Sequence, residues 1–242
     1  MGLKEFFGKL AVKGLYDPKW RCIVCEREIF DGKYFCPSCK DKLPVITDCY
    51  CEHCGRKLKT SARFCSTCKG TLTEVDRARS LFEYGKEVGS LIKKAKYSGA
   101  KYIYDAFTED LKNLYLKNCF NADFITFVPA TETTLKERGY NQSEILAKNL
   151  STAVNVPLFC GVKKVKDTPH QAGLDRKKRI ENLKTAFRIV DKKTIENKTV
   201  LIVDDVTTTG ATSESLAAKL KKAGAREVFL ITLASVSSAD HF

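Results

Sequence analysis

Four Cys-x-x-Cys pairs constrain the fold of this chain more than any other feature of its sequence. The pairs are Cys22/Cys25, Cys36/Cys39, Cys51/Cys54 and Cys65/Cys68. Ten residues separate the two pairs within each half, so residues 22–39 and 51–68 form an internal repeat. Two turns of this kind supply the four thiolates of a tetrahedral zinc site. The repeat therefore predicts two structural zinc sites without an open coordination position.

Ordinary ligand spacing favours sequential grouping, in which 22/25 joins 36/39 and 51/54 joins 65/68, with an interleaved arrangement as the alternative. A disulfide framework is disfavoured because the first 20 residues show no apolar signal-peptide core. Thiolate ligands need a reducing compartment, which predicts a cytoplasmic protein. Cys49 is expected to be a spare thiol, and Cys119 and Cys160 are expected to be buried packing residues.

The composition changes after about residue 75, which predicts an N-terminal part, residues 1–75, and a larger part, residues 76–242. Apolar side chains at roughly helical spacing in residues 1–20 predict a helix ahead of the cysteines. A module of about 50 residues buries little core, so zinc is expected to supply much of its folding free energy. The longest apolar stretches are shorter than the roughly 20 residues that span a bilayer.

The larger part alternates apolar runs typical of strands with helical patterns. Strands are predicted at 124–128, 187–190, 200–203 and 227–234, and helices around 143–150 and at 212–223. Apolar, mostly β-branched runs such as 200–203 are typical of parallel strands that are buried on both faces. This order predicts an α/β fold built on a parallel sheet.

The most informative segment, 200–212, joins a buried strand to a helix through Asp204, Asp205 and a loop rich in Thr and Gly. Ligands of such sheets bind at the carboxyl ends of the strands, and helix N-termini attract phosphate. The segment fits a ribose 5-phosphate, with the sugar hydroxyls on the two carboxylates and the phosphate on the loop. The alternative is a capped turn with solvated acids. The Gly-Lys-[Ser/Thr] element of a Walker A loop is absent from this segment.

Residues 200–212 resemble the phosphoribosyl-pyrophosphate motif of type I phosphoribosyltransferases, and the chain as a whole resembles the ComF family of competence-associated proteins. The segments that carry the second resemblance are the paired cysteines, 92–99, 128–129, 136–142, 171–174, Arg179, 182–187 and the motif at 200–212. The resemblance implies a type I phosphoribosyltransferase-like parallel sheet domain preceded by a small zinc-ribbon module.

The resemblance also assigns roles to residues. It implies that Asp204 and Asp205 hold the ribose hydroxyls and that the 5′-phosphate is held by Thr207, Thr208, Thr209, Gly210, Ala211 and Thr212. The positions that match a pyrophosphate-binding loop are Pro129, Ala130 and Thr131, and Arg138 would neutralise diphosphate charge, with magnesium bound to the diphosphate. Residues 168–178 match a mobile loop that closes over the site. The resemblance does not identify the acceptor. For Tyr140, Asn141 and Gln142 two interpretations remain: they face the site, or they form a helix-entry turn.

The chain carries a formal net charge of +13, and its excess is concentrated in residues 161–200, which hold 12 Lys and Arg against 5 Asp and Glu. The basic residues considered for nucleic-acid binding are Lys163, Lys164, Lys166, Arg176, Lys177, Lys178 and Arg179. Such a span attracts diphosphate or nucleic acid, or it is a solvated basic loop. The family resemblance implies single-stranded DNA and other competence proteins as partners.

Three functions follow as hypotheses. The first is a cytoplasmic phosphoribosyltransferase-like protein that binds phosphoribosyl pyrophosphate and acts in natural competence, with an unknown acceptor. The second is a DNA-binding competence component in which that site is regulatory or vestigial. The third is a nucleobase salvage enzyme. Because fold does not secure activity, the sequence leaves turnover open.

Overall fold

The computed structural model describes residues 20–71, 73–165 and 186–237. The predicted N-terminal helix and the predicted closing loop at 168–178 lie outside these residues. Packing divides the chain into two compact units, Met1–Leu43 and Pro44–Phe242. The first cysteine repeat therefore lies in one unit, whereas the second shares a unit with the sheet. The sequence boundary at residue 75 falls after both repeats.

The regular elements of the described residues follow in chain order. They are α1 (Pro37–Lys40), β1 (Arg77–Glu83), α2 (Lys86–Tyr97), α3 (Tyr102–Asp105), α4 (Thr108–Lys117), β2 (Phe124–Phe127), α5 (Glu132–Arg138), α6 (Gln142–Val154), β3 (Val162–Lys164), β4 (Phe187–Ile189), a 3₁₀ turn (Lys193–Ile195), β5 (Thr199–Thr207), α7 (Ala211–Lys222) and β6 (Glu227–Ser235).

A four-stranded parallel sheet in the order β1-β6-β5-β2 forms the centre of the second unit. The apolar residues 200–203 of β5 are all fully buried, as a strand covered on both faces requires. Side chains from α7, including Leu216 and Leu220, pack into the same core as Val200 and Ile202. The α/β fold on a parallel sheet predicted from the sequence is confirmed.

Strand β5 is longer than its apolar run predicts. It continues through Asp204 and Asp205 to Thr207, because Asp204, Val206 and Thr207 still pair with Thr232, Ala234 and Ser235 of β6. The acidic residues therefore lie within the strand and not after it. Helix α7 begins at Ala211, one residue earlier than predicted, and Gly210 precedes it in a left-handed conformation with φ 78°.

The short strand β2 sets the geometry of the neighbouring loop. Phe127 is its last residue and pairs with Val203, and the Val128 amide donates to the Val203 carbonyl at 3.2 Å. Because β5 runs on beyond this level, the chain leaves the sheet at Pro129 beside the acidic part of β5. The carboxyl ends of β2 and β5 thus form an uneven edge, the side of a parallel sheet at which ligands usually bind.

In the described part of the chain, no helix combines the length and the apolar character needed to cross a membrane.

Two of the three cysteines outside the pairs contradict the sequence prediction. Cys119 and Cys160 are exposed and are not packing residues, and Cys119 occupies a turn with φ 49° after α4. Cys49 is also exposed.

Candidate functional site

The eight paired cysteines form two separate clusters. Within each cluster the four sulfur atoms lie within 4.8 Å of one another, and the members are Cys22, Cys25, Cys36 and Cys39 in the first and Cys51, Cys54, Cys65 and Cys68 in the second. The sequential grouping is therefore confirmed and the interleaved one is wrong. Four converging thiols match the donor set of structural zinc, and the second cluster is largely buried.

The opposite pKa shifts of the thiols in the second cluster show why this site suits a cation. Hydrogen bonds from Cys54 and Cys65 lower the pKa of the Cys51 thiol, whereas contacts with Cys51 and Cys54 raise the pKa of Cys68. The crowded sulfur atoms therefore cannot all carry negative charge without a compensating cation. A bound zinc ion removes this conflict because it stabilises all four thiolates together.

A buried arginine adjoins the second cluster. Arg56 is 2% exposed, and its Nε donates to the sulfur of Cys54 at 3.2 Å. Its Nη2 donates to the main-chain carbonyl of Thr208 at 3.0 Å. The amide of Cys51 donates to the Arg56 carbonyl at 2.9 Å, which closes the metal-binding turn around the arginine.

The acidic pair in β5 is held by side chains from two helices. Ser143 in the first turn of α6 donates its hydroxyl to Asp204 at 2.7 Å. Lys96 in the last turn of α2 forms an ion pair with Asp205, with 2.5 Å between Nζ and Oδ2. Both ends of this ion pair are only partly accessible, with 21% and 12% of the two side chains exposed. The carboxylates are thus oriented before any ligand binds.

Burial changes the acidity of one carboxyl group. Desolvation, together with the charge of Asp205, raises the pKa of Asp204 to about 7, although the Ser143 hydroxyl acts in the opposite direction. Adjacent carboxylates in a poorly solvated position repel each other and hold a proton more tightly. Such a pair becomes favourable when hydroxyl groups or a cation approach it, which is the chemistry that a sugar and a magnesium ion supply.

Two buried polar atoms near the acidic pair have no hydrogen-bond partner among the described residues, the hydroxyl of Tyr104 and Nε2 of Gln142. Gln142 directly precedes the serine that binds Asp204, and the charge of Asp205 contributes to the raised pKa of Tyr104. Unpaired donors in a buried position usually mark an ordered water or a ligand.

The predicted phosphate loop is shorter than its sequence suggests. Thr207 ends β5 and is only 4% exposed, so three residues, 208–210, connect the strand to α7. The Ala211 amide donates to the Thr209 hydroxyl at 3.4 Å. The positive φ of Gly210 favours glycine, and a side chain there would meet nothing within 4 Å, so conformation alone requires the glycine. The first amides of the 12-residue helix α7 face this loop.

The predicted diphosphate residues lie at the same edge of the sheet. Pro129, Ala130 and Thr131 connect β2 to α5, and the Thr131 hydroxyl caps that helix by accepting from the Thr134 amide. The guanidinium of Arg138 lies 5.4 Å from the ring centroid of Tyr97, the neighbour of Lys96. The ammonium of Lys96 contacts the acidic pair, whereas the contact shown for Arg138 is with the exposed Tyr97 ring.

The segment 140–142 has mainly structural contacts. Tyr140 is buried and donates to the Ala95 carbonyl, while the Asn141 side chain caps α6 and donates to the Val128 carbonyl at 3.0 Å. Gly139 ends α5 with φ 73°. The helix-entry turn is confirmed, and of the three residues only Gln142 has a buried donor left unpaired.

Only two of the basic residues considered for nucleic acid lie among the described residues. Lys163 and Lys164 belong to β3, which pairs with β4, and Lys163 is exposed. The other five, Lys166, Arg176, Lys177, Lys178 and Arg179, fall in residues 166–185, outside the described part of the chain.

A cavity of about 550 Å³ opens beside the second cysteine cluster. Its lining includes Lys57, Lys59 and Phe64 from the metal-binding turns, and Glu83 and Ser237 from the carboxyl ends of β1 and β6. The acidic pair is not part of this lining.

Three site residues were assigned no role from the sequence. Lys96 lies within the segment 92–99 that carries the family resemblance, Ser143 follows directly after the segment 136–142, and Arg56 lies two residues after Cys54. Their proximity to the resembling segments is the only sequence signal. Their partners come from elements far away along the chain, and no periodicity predicts those contacts.

Two family models match the chain. Residues 11–74 match the double zinc ribbon domain, and residues 136–240 match the phosphoribosyl transferase domain. The predicted combination of a zinc-ribbon module and a phosphoribosyltransferase-type domain is therefore confirmed.

Curated relatives match along most of their length. Competence protein F of Haemophilus influenzae is 31% identical over 220 residues, which cover 86% of this chain and 94% of that protein. DNA utilization protein YhgH of Escherichia coli is 29% identical and covers 86% of each chain. Competence protein ComFC of Streptococcus pneumoniae is 27% identical over 84% of this chain and 88% of that protein.

Proposed function

This chain belongs to the ComF family, and on that premise we propose that it binds phosphoribosyl pyrophosphate with magnesium at the carboxyl edge of its sheet. One observation carries the proposal: an acidic pair within β5, oriented by Ser143 and Lys96, lies directly ahead of a three-residue loop that opens α7. Along the chain, the carboxylates that would bind the sugar hydroxyls come first, and the helix N-terminus that would bind the phosphate follows. This order matches the two ends of a ribose 5-phosphate.

The ligand would be held by groups from five segments of the chain. Asp204 and Asp205 accept hydrogen bonds from the ribose hydroxyls, and the 5′-phosphate binds Thr208, Thr209, Gly210 and the first amides of α7, including those of Ala211 and Thr212. The diphosphate lies towards Pro129, Ala130 and Thr131, with Arg138 as a nearby cation. Magnesium, when bound, neutralises part of the diphosphate charge. These contacts position the sugar and stabilise charge, which is the main protein contribution to such transfer chemistry.

We further propose that the two cysteine clusters hold structural zinc and that the protein acts in the cytoplasm, where thiolates stay reduced. The role we propose is in natural competence, because relatives that match most of this chain are named competence or DNA utilization proteins. Other proteins of the DNA-uptake machinery are then expected partners.

Calorimetric titration of the zinc-loaded protein with phosphoribosyl pyrophosphate and magnesium tests the binding proposal. A subsequent screen for pyrophosphate release distinguishes the possible uses of the site. Release with a free nucleobase identifies a salvage enzyme, and release that requires DNA identifies a nucleic-acid acceptor. Binding without release from any acceptor identifies a regulatory site.

A second candidate function, single-stranded DNA binding, is favoured by the charge of +13 and by the exposed Lys163 in β3. When a protein binds DNA through its phosphates, the logarithm of the binding constant falls linearly with the logarithm of the salt concentration. Replacing Lys163, Lys164 and Lys166 by Ala should weaken binding and reduce the salt slope. A matched control replaces three lysines in another part of the chain, Lys33, Lys112 and Lys117, by Ala. Equal affinity of both triple variants for DNA would contradict this function.

A further inference from the structure

A single buried guanidinium contacts both the second cysteine cluster and the 208–210 loop. Arg56 donates through Nε to the Cys54 sulfur at 3.2 Å and through Nη2 to the Thr208 carbonyl at 3.0 Å. Its side chain is almost completely excluded from water, with 2% of the residue exposed. The planar fork of a guanidinium fixes the directions of both bonds at once.

The metal-binding turn that carries Arg56 is pressed against the sheet. Gly55 has φ +71°, and a Cβ there would lie 2.8 Å from the Cα of Arg79 in β1. The Ala78 amide donates to the Glu52 carbonyl at 3.2 Å. The turn is therefore packed tightly against β1 while the cluster is intact, and the backbone that carries Arg56 is held in place.

A second connection reaches the other end of the loop. Glu214 in the first turn of α7 accepts a hydrogen bond from the Glu74 amide at 2.7 Å. Glu74 follows the second cysteine repeat in the chain. The segment of the second cluster is thus tied to the loop itself through Arg56 and to the start of the following helix through Glu214.

The bond to Thr208 determines where a loop amide points. The C=O and N–H of one planar trans peptide point in opposite directions. With the Thr208 carbonyl held towards Arg56, the Thr209 amide is directed to the opposite side of the loop. Loss of the Arg56 contact frees this peptide to rotate and removes the orientation of one donor for the phosphate.

We infer that Arg56 is a positioning residue that couples the metal state of the second cysteine cluster to the phosphate-binding geometry of the 208–210 loop. Zinc on the cluster fixes the Cys54 sulfur, the sulfur orients Arg56, and Arg56 orients the Thr208–Thr209 peptide. The inference rests on the proposed function in that the ligand of the loop is phosphoribosyl pyrophosphate. Such coupling is reciprocal. The bound ligand must therefore raise the affinity for zinc by the same factor by which zinc raises the affinity for the ligand.

The first test compares Arg56→Gln and Arg56→Lys with a control, Arg63→Gln, in the full-length zinc-loaded protein. Arg63 lies on the same metal-binding segment, is itself exposed, and its side chain contacts Glu52 at 2.9 Å and the Phe64 ring but not the 208–210 loop. Hydrogen exchange of peptides covering residues 207–213 is measured without ligand. We expect at least about fivefold faster exchange in both Arg56 variants, because lysine keeps the charge but cannot make the two bonds. Exchange within twofold of the Arg63→Gln control would overturn the inference.

The second test uses the unmodified protein and does not depend on whether the variants fold. A chelator and an alkylating reagent are added with and without phosphoribosyl pyrophosphate and magnesium, and alkylation is mapped to each cysteine. We expect the ligand to slow alkylation of Cys51, Cys54, Cys65 and Cys68 by about 5- to 100-fold, the usual range of coupling between two sites. Bound ligand without slower alkylation of these four cysteines would overturn the inference.

The two tests separate failure of this inference from failure of the proposed function. If calorimetry shows no binding of phosphoribosyl pyrophosphate, the proposed function is wrong, and exchange in the unliganded Arg56 variants still decides the role of Arg56. If the ligand binds and both exchange and alkylation are unchanged, the proposed function stands and the coupling is wrong.

Discussion

Lys96 at the end of α2 and Asp205 within β5 form an ion pair with 2.5 Å between Nζ and Oδ2. The pair joins α2, which follows β1 and precedes the other strands of the parallel sheet in the chain, to β5, which carries the acidic motif. Its ammonium neutralises one of two adjacent carboxylates and leaves the other, Asp204, bound to Ser143. The unliganded site is therefore an organised charge cluster and not an open acidic cleft.

Replacing Lys96 by Met should destabilise the protein and weaken ligand binding. The change leaves the Asp205 carboxylate poorly solvated and without its partner, at a cost on the order of 2–3 kcal/mol, below that of a fully buried pair because water reaches both side chains. It also removes a cation that contacts the carboxylates of the proposed ligand site. The thermal midpoint and the affinity for phosphoribosyl pyrophosphate are measured against Lys93→Met, an exposed lysine on the same helix. A variant as stable as this control would contradict a structural role for the pair.

The raised pKa of Asp204 predicts a pH dependence of stability with a defined sign. The folded protein holds this proton up to a pKa of about 7, whereas the unfolded carboxyl releases it near 3.8. The stabilising contribution is therefore complete below about pH 4 and is lost as the pH rises through 7. Asp204→Asn, which cannot ionise, should gain thermal stability relative to wild type between about pH 5 and pH 8.

Asp191 supplies the control for that experiment. Hydrogen bonds from the Thr194 hydroxyl and amide lower the pKa of this exposed carboxyl, so its contribution is lost only as the pH falls below the ordinary range. The stability difference between Asp191→Asn and wild type should therefore stay constant from about pH 5 to pH 8. A difference for Asp204→Asn that is equally constant would show that Asp204 does not titrate in this range.

Single cysteine substitutions should remove zinc one site at a time. Cys36→Ser and Cys51→Ser should each lower the zinc content from about two ions per chain to about one, because each variant breaks one four-thiolate set. Cys49→Ser serves as the control, since this exposed thiol belongs to neither cluster. Zinc is measured by mass spectrometry of the intact protein under native conditions. Loss of zinc from the control, or none from the two cluster variants, would contradict the assignment.

The sequence predicted the parts of this molecule that obey local rules. The Cys-x-x-Cys spacing limits which sulfur atoms can meet, so both clusters were correct in membership and grouping. The apolar run 200–203 identified the central strand because few other structures bury such a run. The limits of β5 were less predictable, since pairing with β6 extends the strand through residues that favour loops.

Contacts between distant elements were beyond local rules. The roles of Lys96, Ser143 and Arg56 depend on which helix or turn packs against β5, and a charged or hydroxylated side chain has no periodic signature. The exposure of Cys119 and Cys160 illustrates the same limit, because a free cysteine is usually buried and only packing shows that these two are not.

The central claim is that Asp204 and Asp205 bind the ribose of phosphoribosyl pyrophosphate, and one calorimetric comparison tests it most directly. Zinc-loaded wild type, the double variant Asp204→Asn/Asp205→Asn and the control Asp191→Asn are titrated with the ligand and magnesium at about pH 8, above the Asp204 pKa of about 7. We predict saturable binding by wild type and the control and a loss of at least about 100-fold in the double variant, since each lost hydrogen bond to a charged group is worth about 1.5–3 kcal/mol. Equal affinity of the folded double variant and wild type would contradict the account.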